Sequence, residues 1–124
     1  MGLIIAGDRS GVGKTTVTLA ILAYLAAQNR QVQSFKVGPD YIDPIFHPAV
    51  TGLPCRNLDP VLTSPSYVKD CFKRHSQNAA WVVVEGVMGL FDGIYHPEQP
   101  ELRNDYGSTA HIARILNLPV LLVI

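Results

Sequence analysis

Apolar positions fall in short blocks separated by polar, glycine-rich or proline-rich stretches. "GLIIAG" (Gly2–Gly7) is an apolar run bounded by turn residues, which predicts a buried strand. "TTVTLAILAYLAAQNR" (Thr15–Arg30) follows, with Val17, Ala20, Ile21, Tyr24 and Leu25 at the three-and-four spacing of one helix face. Leu19, Leu22, Ala23 and Ala26 make the opposite face apolar too, so this helix is expected to be covered on both sides.

"QVQSFKVG" (31–38) reads as a second strand. The prolines and glycines of "PDYIDPIFHPAVTGLPCRNLDP" (39–60) predict a long irregular connection, and loops of that length are commonly functional. "SPSYVKDCFKRHSQ" (64–77) has the pattern of an amphipathic helix capped by Ser64 or Ser66. "AWVVVEG" (80–86) is β-branched and apolar almost throughout, as in a parallel strand buried on both faces. "STAHIARILNL" (108–118) predicts a further helix and "PVLLVI" (119–124) a last buried strand.

Strands alternating with helices define the expected fold class: α/β, a P-loop NTPase-like doubly wound parallel sheet with helices on both faces and right-handed crossovers. Ligands of such sheets bind beyond the carboxyl ends of the strands. Because the final strand has no following loop there, residues 1–124 are expected to be the amino-terminal part of a longer chain.

At 124 residues the chain has room for one modest domain. Ten basic residues balance ten acidic ones, so no broad field draws in nucleic acid or an anionic membrane. No apolar run approaches the roughly 20 residues that span a bilayer, and the start lacks the pattern of a secretory leader. Cys55 and Cys71 lack metal-ligand spacing, which suits a reduced, cytoplasmic setting. His47, His75, His96 and His111 are scattered and form no ligand set or triad, so packed or solvated imidazoles are expected.

The chemistry concentrates in "GDRSGVGKTT" (Gly7–Thr16), between the first strand and the first helix. A phosphate cradle needs small residues, so that backbone N–H groups turn inward, a helix amino-terminus, and a lysine for the terminal phosphates. Ser10, Gly11, Val12, Gly13, Lys14, Thr15 and Thr16 form the expected nucleotide-binding set, with Thr15 offering its hydroxyl to magnesium and Thr16 reaching an inner phosphate. The expected cofactors are ATP and Mg2+. Asp8 occupies the first glycine position of the standard pattern, and Gly7 precedes it by one residue.

Three further segments, "FKVGPDYIDP" (35–44), "RNLDP" (56–60) and "VEGVMGLFDG" (84–93), give the chain its particular character. In order and spacing it resembles the synthetase domain of the cobyrinate a,c-diamide synthase family, within the wider group that includes dethiobiotin synthetase. The resemblance covers essentially the whole chain, and that group also displaces its first P-loop glycine by one residue. It implies ATP-driven amidation of the a and c acetate carboxylates of a corrinoid, with ammonia from glutamine supplied by a glutaminase domain normally in the same chain. On that basis Lys14, Lys36, Asp40, Glu85 and Asp92 are the expected catalytic residues. Asp40, Tyr41, Ile42 and Asp92 would surround the substrate carboxylate, and Thr15, Glu85 and Asp59 would hold the metal. An Asx turn before Pro60 explains Asp59 as well, and ordinary capping explains Ser108.

Two other functions share parts of this pattern. Switch ATPases of the cell-division and plasmid-partition group carry "GVGKTT" but have a signature lysine where Arg9 stands, and act by nucleotide-dependent dimerisation. Dethiobiotin synthetase closes a ureido ring by related chemistry and lacks "GPDYIDP" and "GLFDG". The sequence leaves a homodimer open, as it does the choice among cobyrinate, hydrogenobyrinate and a nickel sirohydrochlorin.

Overall fold

The computed structural model describes residues 1–94 and 104–124; His96 therefore lies outside the described residues. Five parallel strands, β1 (Gly2–Gly7), β2 (Val32–Val37), β3 (Arg56–Leu58), β4 (Trp81–Gly89) and β5 (Val120–Val123), form one sheet in the order β3-β2-β4-β1-β5. Four helices, α1 (Lys14–Ala27), α2 (Asp43–Thr51), α3 (Pro65–Ser76) and α4 (Thr109–Leu116), complete the expected doubly wound α/β fold. None of the described helices is long and apolar enough to cross a membrane.

Alternating residues of the strands feed two cores. Ile4, Phe35 and Val84 face α3 and α4 with Val68, Cys71 and Ile112, and the Phe35 and Phe72 rings lie 5.3 Å apart. Ile5, Val83 and Val32 face the other way, against Leu22 and Leu25 of α1. Each such fully buried aliphatic or aromatic side chain contributes about 1.5–3 kcal/mol. Ser64 caps α3, its hydroxyl accepting from the Tyr67 N–H, and Ser108 caps α4 in the same way from the His111 N–H.

Three expectations are corrected. Residues 39–60 are not an irregular connection: they hold α2 and β3. Pro44 occupies the first turn of α2, where no intrahelical N–H is needed, and Gly52 ends the helix in the left-handed conformation (φ 74°) with its N–H on the Pro48 carbonyl. Pro48 does remove one internal bond, and packing of α2 against α1 and β2 overrides that loss. The sheet-facing stripe of α1 is Lys14, Thr18, Leu22 and Leu25, whereas Ala20 and Tyr24 are exposed. A helix apolar on all sides carries no period to choose between faces, and the phosphate loop sets its rotation instead. Finally, β5 is not buried: Val120, Leu121 and Leu122 are exposed, because β5 pairs only with β1 at the sheet's edge among the described residues.

The strand order creates a switch point between β1 and β4. These neighbours are followed by α1 on one face and α4 on the other, so their connections part and leave a crevice at the carboxyl edge. A register shift lets Ile5 pair with Glu85 but Gly7 with Gly89, so β4 bulges over residues 86–88 beside that crevice. The bulge is stabilised by Thr109, whose hydroxyl accepts from the Val87 N–H and donates to the Val87 carbonyl.

A methyl group on Gly86 would lie 2.8 Å from the Ile5 carbonyl oxygen and 2.8 Å from the Thr109 side chain. Gly86→Ala is therefore expected to destabilise the chain by ~1–3 kcal/mol, read as a lower midpoint in urea. An unchanged midpoint would show that the bulge tolerates a side chain.

Candidate functional site

The phosphate loop forms as its composition requires. Gly11 (φ 74°) and Gly13 (φ 105°) take left-handed conformations closed to most side chains, and Gly13 stands immediately before the first residue of α1. Gly7 acts as the displaced first glycine, since a Cβ there would meet Val12 Cγ1 at 2.6 Å and the Arg9 carbonyl at 2.9 Å. Gly11, Gly13, Lys14, Thr15, Thr16, Lys36, Asp40, Val87 and Met88 line one cleft of about 350 Å3. Met88 sits there with φ 48°, an unusual conformation for a non-glycine residue and a consequence of the β4 bulge. Ser10 is exposed and Val12 half-buried on the loop itself, and Arg9 turns to its neighbour Asp8 at 2.5 Å.

Register places the charged residues beside the loop. Lys36 on β2 pairs with Glu85 on β4, and Glu85 with Ile5 on β1, so their side chains share the α1/α2 face of the sheet. Glu85 lies within β4, four residues before its end, and is fully buried. Lys36 Nζ, itself buried, lies 3.9 Å from Glu85 Oε2 and 3.9 Å from Asp40 Oδ2, and donates to the Gly86 carbonyl at 2.7 Å. The "GPD" turn is pinned by Asn57, whose Nδ2 donates to the Gly38 and Asp40 carbonyls at 2.9 and 2.6 Å. Asp40 Oδ1 in turn accepts from the Ile42 N–H at 2.8 Å.

His47, given no role from the sequence, is the residue that sequence reasoning missed. It projects from α2, is fully buried, and its Nε2 lies 2.8 Å from Glu85 Oε2, while Nδ1 lies 3.2 Å from Cys55 Sγ. An ionised carboxylate only accepts, so Nε2 carries a proton. Burial alone would lower the basicity of His47, but its hydrogen bonds to Cys55 and Glu85 outweigh it and raise its pKa from 6.5 to about 9. Burial likewise pushes Glu85 up, and hydrogen bonds from His47 and Thr15, with the Lys36 charge, overcome that and hold it below its ordinary value. No spacing signal links His47 to Glu85; only recognition of α2 within residues 39–60 would have placed it on the sheet.

The residues fit a magnesium ion. The second oxygen of Glu85, Oε1, is buried without a hydrogen-bond partner, and the Thr15 side chain reaches the same carboxylate. A hydroxyl and a carboxylate oxygen beside a phosphate cradle are a donor set suited to a hard cation. Asp59 stands apart from the phosphate cleft's lining: its Oδ1 accepts from the Val61 and Leu62 N–H groups in an Asx turn, and Oδ2 is buried without a partner.

Two neighbouring hollows adjoin the cleft in turn. One, of about 170 Å3, shares Val87 and Met88 with the phosphate cleft and contains Asp92, whose Oδ2 accepts from the Gly89 N–H at 2.8 Å. The other, of about 350 Å3, shares Pro39, Asp59 and Leu62 with that hollow and contains Tyr41 and Cys55. Structure thus joins Lys14, Thr15, Thr16, Lys36 and Asp40 in one cleft, with Glu85 buried behind it against Lys36 and Thr15, and sets Asp92, Asp59 and Tyr41 in the adjoining hollows. Ile42 is exposed. Cys71 is buried, and no cluster of three metal-ligating side chains occurs among the described residues.

A nucleotide-binding P-loop domain of the doubly wound type is what this fold and loop define. The chain belongs to the CobQ/CobB/MinD/ParA nucleotide binding domain family, whose model matches residues 3–118. It is 65% identical over 123 residues to a cobyrinate a,c-diamide synthase of Synechocystis sp., matching 99% of this chain and 25% of that protein. A cobyrinate a,c-diamide synthase of Gloeobacter violaceus is 55% identical over 124 residues, 100% of this chain and 26% of the relative. A hydrogenobyrinate a,c-diamide synthase of Agrobacterium fabrum is 43% identical over 122 residues, 98% of this chain and 27% of the relative. The chain spans about a quarter of the length of these relatives.

The His47–Glu85 pair makes stability depend on pH in a defined direction. With the folded His47 pKa raised from 6.5 to about 9, its contribution is complete below 6.5 and is lost as pH rises through about 9. Glu85, lowered in the fold, contributes above 4.5 and loses that contribution as pH falls. Urea midpoints of the metal-free chain should therefore decline between pH 6.5 and 9, and His47→Gln should flatten that decline. Parallel pH profiles for the two proteins would contradict the pairing.

Proposed function

We propose that this chain is the ATP-binding, carboxylate-activating part of an amide ligase acting on the a and c acetate groups of cobyrinate or a closely related tetrapyrrole acid in cobalamin biosynthesis. The observation that carries the reading is the convergence of Lys14, Thr15, Lys36, Asp40 and Glu85 at the switch-point crevice, in a chain so similar to the named diamide synthases.

A carboxylate is a poor electrophile, and ammonia does not displace its oxygen directly. In the proposed reaction a substrate carboxylate oxygen attacks the γ-phosphorus of ATP, ADP leaves, and an acyl phosphate forms. Ammonia then attacks the acyl carbon, phosphate departs with the carbon–oxygen electron pair, and the amide nitrogen gives up a proton. Phosphoryl transfer of this kind is catalysed chiefly by positioning and electrostatics. Lys14 and the amino-terminus of α1 would bind the phosphates, and Lys36 would offset the charge of two anions brought together. Asp40, Tyr41, Ile42 and Asp92 would position the substrate acid, with the adjoining hollows giving a large ring room along the carboxyl edge. Magnesium, held by Thr15 and Glu85 and with Asp59 as a further candidate, would supply charge neutralisation at the phosphates. Ammonia would come from glutamine through a glutaminase domain outside these 124 residues, in a cytoplasmic enzyme.

The test is mass spectrometry of cobyrinate incubated with ATP, magnesium and ammonia or glutamine, using the full-length protein. One and then two amide substitutions are expected, and Lys14→Ala or Glu85→Gln should slow them by about 10²-fold or more. Absence of amidated product, with ATP-dependent dimerisation and hydrolysis indifferent to corrinoid acids, would point to a switch ATPase. Stimulation by diaminopelargonate instead would point to dethiobiotin synthetase chemistry.

A further inference from the structure

Glu85 lies fully buried inside the sheet, beside Lys36 and Thr15, which line the phosphate cleft. Its two oxygens are not equivalent: Oε2 meets His47 at 2.8 Å and Lys36 at 3.9 Å, whereas Oε1 is buried with no hydrogen-bond partner. A carboxylate free to rotate about its last torsion would exchange these oxygens, because such terminal torsions are broad. Of the other partners, Thr15 belongs to the phosphate loop itself, and Lys36 is a weak restraint at 3.9 Å whose shorter contact goes to the Gly86 carbonyl at 2.7 Å. His47 is restrained on its far side, where Nδ1 meets Cys55 Sγ at 3.2 Å, and it is carried by a helix whose packing fixes its origin.

We propose that His47 is a positioning residue: by holding Glu85 Oε2, it leaves Oε1 for a metal ion and so builds the metal-binding side of the phosphate cleft. This rests on the reading of Glu85 and Thr15 as metal ligands, and it adds a residue from outside the phosphate loop to that machinery. The same residue ties the metal side to the substrate side. α2 begins directly after the Asp40–Ile42 segment, and His47 anchors α2 to the strand that carries Glu85. Outer partners of metal ligands commonly govern affinity, and their removal costs about 10–100-fold.

Binding measurements test this without any tetrapyrrole. Mn2+ would be titrated by electron paramagnetic resonance into the full-length protein saturated with ATP, and ATP affinity would be measured separately in the presence of a chelator. His47→Ala is expected to weaken Mn2+ binding by about 10-fold or more and to leave metal-free ATP affinity within about 2-fold. His47→Gln, whose Nε2 retains a donor at similar reach, should recover most of the loss, and His47→Met should not. In a Glu85→Gln background, His47→Ala should add little. Should His47→Ala not fold, the Gln and Met variants make the same comparison. Unchanged Mn2+ affinity in a folded His47→Ala or His47→Met protein would overturn the proposal. Equal loss of metal-free ATP affinity would overturn it too, by showing a structural role only. A wild-type protein that binds Mn2+·ATP but forms no amide would refute the proposed function and leave this test intact.

Discussion

A fully buried carboxylate in the central strand of the sheet is the constraint around which this molecule is arranged. An unpaired Glu85 would cost several kcal/mol, and the chain meets that cost with partners from three separate elements. β2 supplies Lys36 through the sheet register, α1 supplies Thr15 through the phosphate loop, and α2 supplies His47. Each partner must arrive from a different crossover. Satisfying one carboxylate therefore fixes how β2, α1 and α2 sit against β4.

The strand order turns that arrangement into a site. Connections leave β1 and β4 on opposite faces, so the loops following them border one crevice. From β1 comes a glycine-rich turn that exposes N–H groups, and from β4 comes a bulged segment that bends away. The bulge is costly, because Met88 adopts a left-handed backbone and Val87 loses ladder partners, but Thr109 restores both bonds of Val87. That combination opens space over the phosphate loop while keeping both backbone groups of Val87 hydrogen-bonded.

Much of this was legible in the sequence, and the limits have physical causes. β1, β4 and the phosphate loop were readable because apolar runs between turn signals and a cradle composition admit few other structures. Lys36, Asp40 and Glu85 were readable as a set only through resemblance; register then explains their meeting, and register is not written in local sequence. Residues 39–60 misled because proline at a helix start and proline in a loop look alike in one dimension, and β3 is three residues long and held only by its pairing to β2. With α2 unseen, His47 had no sheet to face. β5 carries the composition of a central strand but lies at an edge here, so composition reports what a strand is suited to and not what covers it.

The choice of histidine at position 47 follows from what the position must transmit. A lysine would offer a charge on a flexible stem, able to neutralise Glu85 but free to follow whichever oxygen moved. Arginine brings a forked, rigid group that would tend to take both carboxylate oxygens at once, occupying the one that His47 leaves unbonded. Imidazole has nitrogens at separated positions on a rigid ring, so one can engage Cys55 while the other grips a single oxygen of Glu85. Orientation imposed on one side of the ring is thereby delivered to the other. An asymmetric grip is what a carboxylate needs if one oxygen is to stay bound in the protein and the other is to remain open to a ligand.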